Sequence, residues 1–307
     1  MRAMRMHEYG DASVIRADDV PRPVAGPGEV VIKVAATSFN PSDVGLRRGL
    51  LRAVFTADLP YTLGGEVAGT VVEVGAAVPT LDVGDPVIGR IDGGGAAAEY
   101  VTAAAENLVA APTTIPLAHA AAVPIAGVTA WQAVFDHAKV IAGQRILVNG
   151  AGGGIGGFTI QLAKHAGAYV LATASPRSAD AVRRLGADEI IDYLATPLVD
   201  ALDEPVDTVV NLVAGSARQA GMLLPLVRPG GLVVSATVPV RPPAGSSVTA
   251  VHFVARNDTD QLAALVALID AGKVQVDIAA VRPLAELAEV HREAESGQTR
   301  GKIILVP

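Results

Sequence analysis

The chain has 307 residues and a net charge of −7 from 24 Lys and Arg against 31 Asp and Glu; half its residues are hydrophobic and 18% charged. So much apolar material excludes a mainly disordered chain, and the length exceeds what one core usually organises, so two packed domains are expected. The acidic balance argues against nucleic acid or an anionic membrane as partner, and the absence of cysteine removes disulfides, thiolate zinc sites, iron–sulfur clusters and cysteine nucleophiles.

The opening residues, MRAMRMHEYG, hold no apolar run of signal-peptide length, and the expectation is a cytoplasmic protein. Short β-branched runs bounded by Gly or Pro then follow: Val30 to Val34 after the turn Pro27-Gly28-Glu29, Gly69 to Gly75, and Asp85 to Gly89. That pattern predicts a compact all-β barrel or sandwich. Pro112, Pro116 and Pro124 break it, and the domain boundary is placed near them. Ile115 to Phe135 carries no Lys, Arg, Asp or Glu, but Pro116, His119, Pro124, Gly127 and Gln132 interrupt it. A buried, broken helix is expected there rather than a membrane span.

Beyond this point the rhythm changes. Gln144 to Asn149 is an apolar strand, followed by a glycine-rich turn and a helix in which Ile155, Phe158, Leu162 and Ala166 fall near helical spacing. Tyr169 to Ala174 is the next strand, Ala179 to Leu185 a helix, and Glu189 to Ile191 a short strand; Asp207 to Leu212 and Leu232 to Ala236 add two more. Strands alternating with helices predict βαβ units and a parallel sheet covered on both faces. Helices near Gln261 to Asp270 and Leu284 to Glu295 and a strand from Lys302 to Val306 close the chain.

The strongest chemical signal is the turn Gly150-Ala151-Gly152-Gly153-Gly154-Ile155-Gly156-Gly157. It follows an apolar strand directly and opens an amphipathic helix, the context that a dinucleotide fingerprint requires. Glycine lets the backbone turn tightly and approach a pyrophosphate, whose charge then sits at the helix N-terminus. Selectivity for NAD calls for an acid about 20 residues further on. Here the segment Ala172-Thr173-Ala174-Ser175-Pro176-Arg177-Ser178 holds none, the first being Asp180. The Ser175 hydroxyl and the permanent charge of Arg177 suit a 2′-phosphate instead, so NADPH is the expected cofactor.

With these motifs in place, the chain resembles the zinc-independent quinone oxidoreductases of the medium-chain dehydrogenase/reductase superfamily. The likeness is carried by Asn40-Pro41-Ser42-Asp43, Leu63 to Gly75, Val83 to Val87, Gly127 to Ala130, Gln161 to Lys164, Leu185 to Asp188 with Ile191 to Tyr193, and Gly301 to Leu305, in this order. It implies an α/β protein made of a GroES-like β domain and a doubly wound Rossmann sheet, with the cofactor in the cleft between them. The implied division is 1–115 for the first domain, 116–258 for the nucleotide domain, and 259–307 for a segment returning to complete the first. It also implies that Gly153, Gly154, Ile155 and Gly156, with Gly150 in the turn, face the pyrophosphate. Ser175, Arg177 and Tyr193 would surround the 2′-phosphate, Thr129 would lie near the nicotinamide, and Arg300 is a further cofactor contact. Asn40 is the implied catalytic residue, near nicotinamide and substrate.

The departures matter as much. Zinc-dependent relatives carry a cysteine soon after the Asn40 region and a histidine where this chain has Gly65; neither is present, and the six histidines show no metal-ligand spacing. No bound metal is expected. A tyrosine found in some quinone reductases is replaced by Gly45, leaving Tyr61 as a substitute substrate contact. Without metal or nucleophile, the chemistry must come from the cofactor. The expected activity is hydride transfer from NADPH to a quinone or similar electron-poor carbonyl. An enone or enoyl-thioester reductase on the same fold and a non-catalytic NADPH-binding sensor stand as alternatives. A homodimer is expected, with Val248 to Val254 as a candidate edge strand.

Overall fold

The computed structural model describes residues 1–53 and 55–307. It divides into two compact units, one of Met1–Ile125, Asn257–Asp270 and Ile278–Pro307, the other of Ala126–Arg256 and Ala271–Asp277.

The first unit opens with strands β1 (Arg2–Met6), β2 (Ile15–Asp19) and β3 (Glu29–Ser38) and the short helix α1 (Pro41–Arg47). Strands β4 (Tyr61–Thr62), β5 (Glu66–Val74), β6 (Pro86–Arg90), β7 (Tyr100–Ala104) and β8 (Leu108–Ala110) follow. Alternation explains the packing: Val30, Ile32 and Val34 on β3 and Val67 and Val71 on β5 point into one apolar core with Val87 and Val101. β3 pairs antiparallel with β5 and β7, and its ladder with β5 shifts register between Val31 and Ile32 and between Val34 and Ala36, irregularities that bend a sheet toward closure. The uncharged stretch from Ile115 breaks as its prolines require, into α2 (Leu117–Ala120) and α3 (Pro124–Trp131), which runs on as a wider π-helical turn over Gln132–His137. No helix among the described residues is long and apolar enough to cross a membrane.

The second unit is a doubly wound α/β sheet. β9 (Arg145–Asn149), α4 (Gly154–His165), β10 (Tyr169–Ala174), α5 (Pro176–Arg184), β11 (Glu189–Asp192), β12 (Val206–Asn211), α6 (Ala217–Gly221), β13 (Val227–Ser235) and β14 (Thr249–His252) follow one another. The strands order β11-β10-β9-β12-β13-β14, with every neighbouring pair parallel. Ile146, Leu147, Val148, Val170, Leu171, Val209, Val210, Val233 and Val234 are wholly buried, the continuous apolar signature of strands covered on both faces. The order reverses between β9 and β12, the place where doubly wound sheets bind ligands.

The chain then returns through α7 (Thr259–Asp270), β15 (Ile278–Pro283), α8 (Leu287–Glu295) and β16 (Lys302–Val306). β16 runs parallel to β15 and antiparallel to β3, so the last strand completes the sheet β15-β16-β3-β5-β6-β8 of the first unit. α8 buries Leu287, Val290 and His291 at helical spacing. The His291 ring stands edge-on to Phe39, centroids 5.1 Å apart, and neither ring nitrogen has a hydrogen-bond partner. Burial, with the Arg47 charge adding to it, pushes its pKa down to about 3.

The unfolded chain takes up this proton near the ordinary value of about 6.5, the folded chain only near 3, so stability is lost as pH falls below about 6.5. His291→Leu should therefore lose less melting temperature than the parent between pH 7 and pH 5. Parallel stability curves for the two proteins would remove His291 from the acid response.

Candidate active site

In the second unit the sequence builds an anion cradle. Gly150 leaves β9 at φ +93°, a conformation open to glycine, and its N–H donates to Thr173 Oγ1 on β10 at 2.9 Å. Gly153 closes the turn on the Gly150 carbonyl at 3.1 Å and is the N-cap of α4, with no side-chain cap. The amides of this first helical turn thus have no side-chain acceptor and carry the positive end of the helix dipole. A Cβ on Gly156 would lie 2.5 Å from the Gly150 carbonyl oxygen and 2.6 Å from Ala151, so this glycine sets how closely α4 packs on the turn. The donor set, the dipole and the close packing fit a pyrophosphate.

The segment expected to read the ribose lies beside it. A Cβ on Gly152 would meet the Ser178 hydroxyl at 2.5 Å, so the glycine turn abuts the start of α5. Ser175 is the N-cap of α5, makes no side-chain cap bond, and is followed by Pro176 and Arg177. Ala174 and Asp192 are register partners, so Ser175 and Tyr193 step off adjacent strand ends. Tyr193 is half exposed. The first acid, Asp180, is ion-paired with Arg183 at 3.0 Å.

One feature of this edge escaped sequence reasoning. Thr173 Oγ1 donates to Asn149 Oδ1 at 3.2 Å, Asn149 Nδ2 to Asn211 Oδ1 at 2.9 Å, and Asn211 Nδ2 to the Ser235 hydroxyl at 3.1 Å. These residues stand at the carboxyl ends of β10, β9, β12 and β13, and they tie four strands across the switch point. A cavity of about 90 Å³ opens there, lined in part by Asn149, Asn211, Gly215 and Ser216. The signal was present in the strings RILVN and VDTVVN, apolar strands that each end on a lone asparagine.

In the first unit, Asn40 sits where β3 ends and Pro41 starts α1. Its N–H donates to Asp43 Oδ2 at 2.9 Å, and its side chain is buried. Asn40 Nδ2 donates to Glu66 Oε1 at 2.8 Å and, at the long distance of 3.5 Å, to the Ser38 carbonyl. Lys302 Nζ donates to Asn40 Oδ1 at 2.9 Å, to Glu66 Oε1 at 3.0 Å and to the Phe39 carbonyl at 3.3 Å. The Ser38 hydroxyl also donates to Glu66 Oε1, and the Ile125 N–H to Oε2 at 2.7 Å. The Glu66–Lys302 pair was not singled out from sequence.

Half-buried Asp43 has its carboxyl pushed up to about 7. Desolvation is the main cause; the Glu66 charge adds to it, while the Asn40 N–H and the Lys302 charge oppose it. Tyr61, on β4, packs its ring on Phe55 at 5.9 Å, and burial, with Asp43 nearby, pushes its hydroxyl up to about 12. Arg300 lies just before β16, and Thr129 is buried within α3. Gly65 leaves its side facing Ile125. No group of three or more His, Cys, Asp or Glu among the described residues is arranged to hold a metal.

Residues 26–113 match the model of the alcohol dehydrogenase GroES-like domain, and residues 185–305 that of the zinc-binding dehydrogenase domain. The whole chain is 33% identical to 98% of a chloroplast envelope quinone oxidoreductase homolog of Arabidopsis thaliana. It is also 33% identical over its full length to 80% of an NADPH-dependent alkenal/one oxidoreductase of that plant. A mycobacterial protein solved in complex with NADPH superposes on all of it with a TM-score of 0.88 at 27% identity, and is itself fully covered. The chain belongs to the quinone oxidoreductase family of the medium-chain dehydrogenase/reductase superfamily. Quinone oxidoreductases of this family are redox enzymes, and this one carries both a GroES-like β unit and a Rossmann-like parallel sheet.

The close approach at Gly156 gives a test of the cradle. Gly156→Ala should lower the melting temperature by several degrees and weaken NADPH binding at least tenfold, because the added methyl meets backbone. Gly221→Ala, where a Cβ meets nothing within 4 Å, should change neither. Equal behaviour of the two variants in calorimetry and nucleotide titration would remove Gly156 from the cradle.

Proposed function

We propose that the protein is a zinc-independent reductase that moves a hydride from NADPH to a quinone or a similarly electron-poor carbonyl. The observation that carries this reading is the uncapped first turn of α4 packed against the acid-free start of α5. When bound, NADPH supplies the hydride. In this reading Gly150, Gly153, Gly154, Ile155 and Gly156 hold the pyrophosphate with backbone N–H groups. Ser175, Arg177 and Tyr193 gather about the 2′-phosphate, Arg177 offering a planar guanidinium suited to phosphate oxygens. Thr129 and Arg300 are read as further cofactor contacts, and Tyr61 as a substrate contact. The absence of cysteine and Gly65 in place of a histidine support a site that works without zinc.

The negative charge that develops on the acceptor oxygen needs a hydrogen-bond donor. Asn40 is that donor, since one of its amide hydrogens is engaged only by the distant Ser38 carbonyl. A quinone needs little more, because the hydroquinone anion is readily protonated by water. A second reading, reduction of an enone, needs a proton as well as a hydride. Asp43 favours it: a carboxyl that titrates near 7 beside Asn40 retains a proton to give in the neutral range.

The assay that separates these readings follows NADPH oxidation at 340 nm with a simple para-quinone and with a simple enone, against NADH controls. The expected result is rapid, NADPH-selective turnover of the quinone. Turnover of the enone alone would transfer the assignment to the second reading. Arg177→Glu should weaken NADPH at least tenfold and NADH less than twofold; equal losses would sink the phosphate assignment.

We also read β14 as the pairing edge of a homodimer. It is the outermost strand of the parallel sheet, and Val254 just beyond it is 85% exposed. Open edges of this kind pair readily across a two-fold axis. Light scattering should give twice the chain mass of 31.2 kDa, and a monomer at micromolar concentration would reject this arrangement.

A further inference from the structure

We propose that the buried Glu66–Lys302 pair is a positioning device that fixes the orientation of the Asn40 carboxamide for catalysis. This rests on the reading of Asn40 as the donor to the acceptor oxygen. Both partners are nearly free of solvent exposure, at 0% for the Glu66 side chain and 4% for Lys302. The ammonium has three hydrogens and three acceptors: Phe39 O, Asn40 Oδ1 and Glu66 Oε1. The carboxylate takes Ser38, Asn40 and Lys302 on Oε1 and the Ile125 amide on Oε2.

The consequence for Asn40 follows from the signs of these groups. Its carbonyl end meets a cation and its amino end meets an anion. Turning the carboxamide over would set the NH2 group against the ammonium and the oxygen against the carboxylate, two repulsive contacts where there are now two charge-assisted bonds. Only one orientation of the carboxamide is compatible with the pair, and in it the second amide hydrogen meets only the Ser38 carbonyl, at the long distance of 3.5 Å. Main-chain contacts hold the same residue: Asp43 Oδ2 accepts its N–H, and Phe39, its chain neighbour, is fixed through its N–H to the Ile303 carbonyl and its carbonyl to Lys302. A buried ion pair is a poor way to gain stability, since apolar residues of the same volume serve as well; its attested use is to specify one arrangement.

The experiment exchanges both charges at once, so that neither is left uncompensated, and repeats the exchange without Asn40. Glu66→Gln with Lys302→Met is compared with the parent, with Asn40→Ala, and with the triple variant. The readings are kcat with a para-quinone or enone that the parent turns over, NADPH dissociation constant and melting temperature. The charge exchange should lower kcat at least tenfold with NADPH affinity changed less than twofold. Added to Asn40→Ala, it should lower kcat no further, because two groups acting through one atom are not additive. In the nucleotide-free protein, the Asn40 side-chain amide signals, identified by their loss in Asn40→Ala, should move and exchange faster with solvent in the charge-exchanged variant.

An unchanged kcat in the charge-exchanged protein overturns the proposal, and so does an equal further loss in the Asn40→Ala background, which marks a purely structural pair. Full activity of Asn40→Ala overturns the reading of Asn40 itself and is told apart from the other outcomes by that variant alone. Should the charge-exchanged protein not fold, Lys302→Arg keeps the charge while misplacing the donors. It should lower kcat several-fold at a melting temperature within a few degrees of the parent, and an unaltered kcat would again reject the proposal.

Discussion

In the first unit the polar groups around Asn40 converge on the carboxylate of Glu66. It receives hydrogen bonds from Ser38 at the end of β3, Asn40 just after it, Lys302 at the start of β16 and the Ile125 amide in α3. Taking such a charge out of water is expensive, and removing one partner of a buried pair costs about 3–5 kcal/mol because the other is left unpaired. The strand that closes the chain is therefore bound to the strand that carries the candidate site by more than a β ladder. Lys302 and Glu66 are 236 residues apart in sequence, so the carboxylate gains its buried countercharge only from the last strand.

In the second unit the equivalent constraint is made of neutral groups. The row from Thr173 through Asn149 and Asn211 to Ser235 joins four strand ends without a single ionised side chain. Neutral hydrogen bonds suit this place. The α4 terminus already supplies the partial positive charge that a phosphate needs, and a fixed carboxylate here would repel it. The amide network ties the four strand ends together at the switch point without placing an ionised group there.

Much of this was legible in the sequence. β10 and β16 were placed residue for residue, and β9, β12, α4 and α7 within a few positions, because apolar runs with helical or continuous patterning reflect burial directly. β1, β2, β4, β7, β8 and β15 were not seen. β2 is IRADD and β15 is IAAVRP, both largely solvent-facing, and strands whose pairing rather than composition defines them leave little pattern to read. The glycine turn was legible because a backbone that must bend and approach closely writes its need into consecutive residues. The Glu66–Lys302 pair was not, since its two halves appear only as single charged letters inside separate apolar segments and nothing local joins them.

The same contrast explains why the cofactor half of the chemistry is so much clearer than the acceptor half. In the proposed reading the phosphates are held by backbone N–H groups and one arginine, which a short motif encodes completely. An acceptor is recognised by side chains brought from distant segments, and this chain has only 4% aromatic residues to do it with. On that reading, Gly45 stands where an aromatic contact would be, and burial pushes the Tyr61 hydroxyl up to about 12, so Tyr61 would meet an acceptor as a hydrogen-bond donor. In the described part of the first unit, Asp43 is the acid whose carboxyl is raised into the neutral range. In the proposed enone reading, an acceptor that needs a proton as well as a hydride would depend on the charge state of this one carboxyl beside Asn40, which would couple acceptor choice to pH through the same residue.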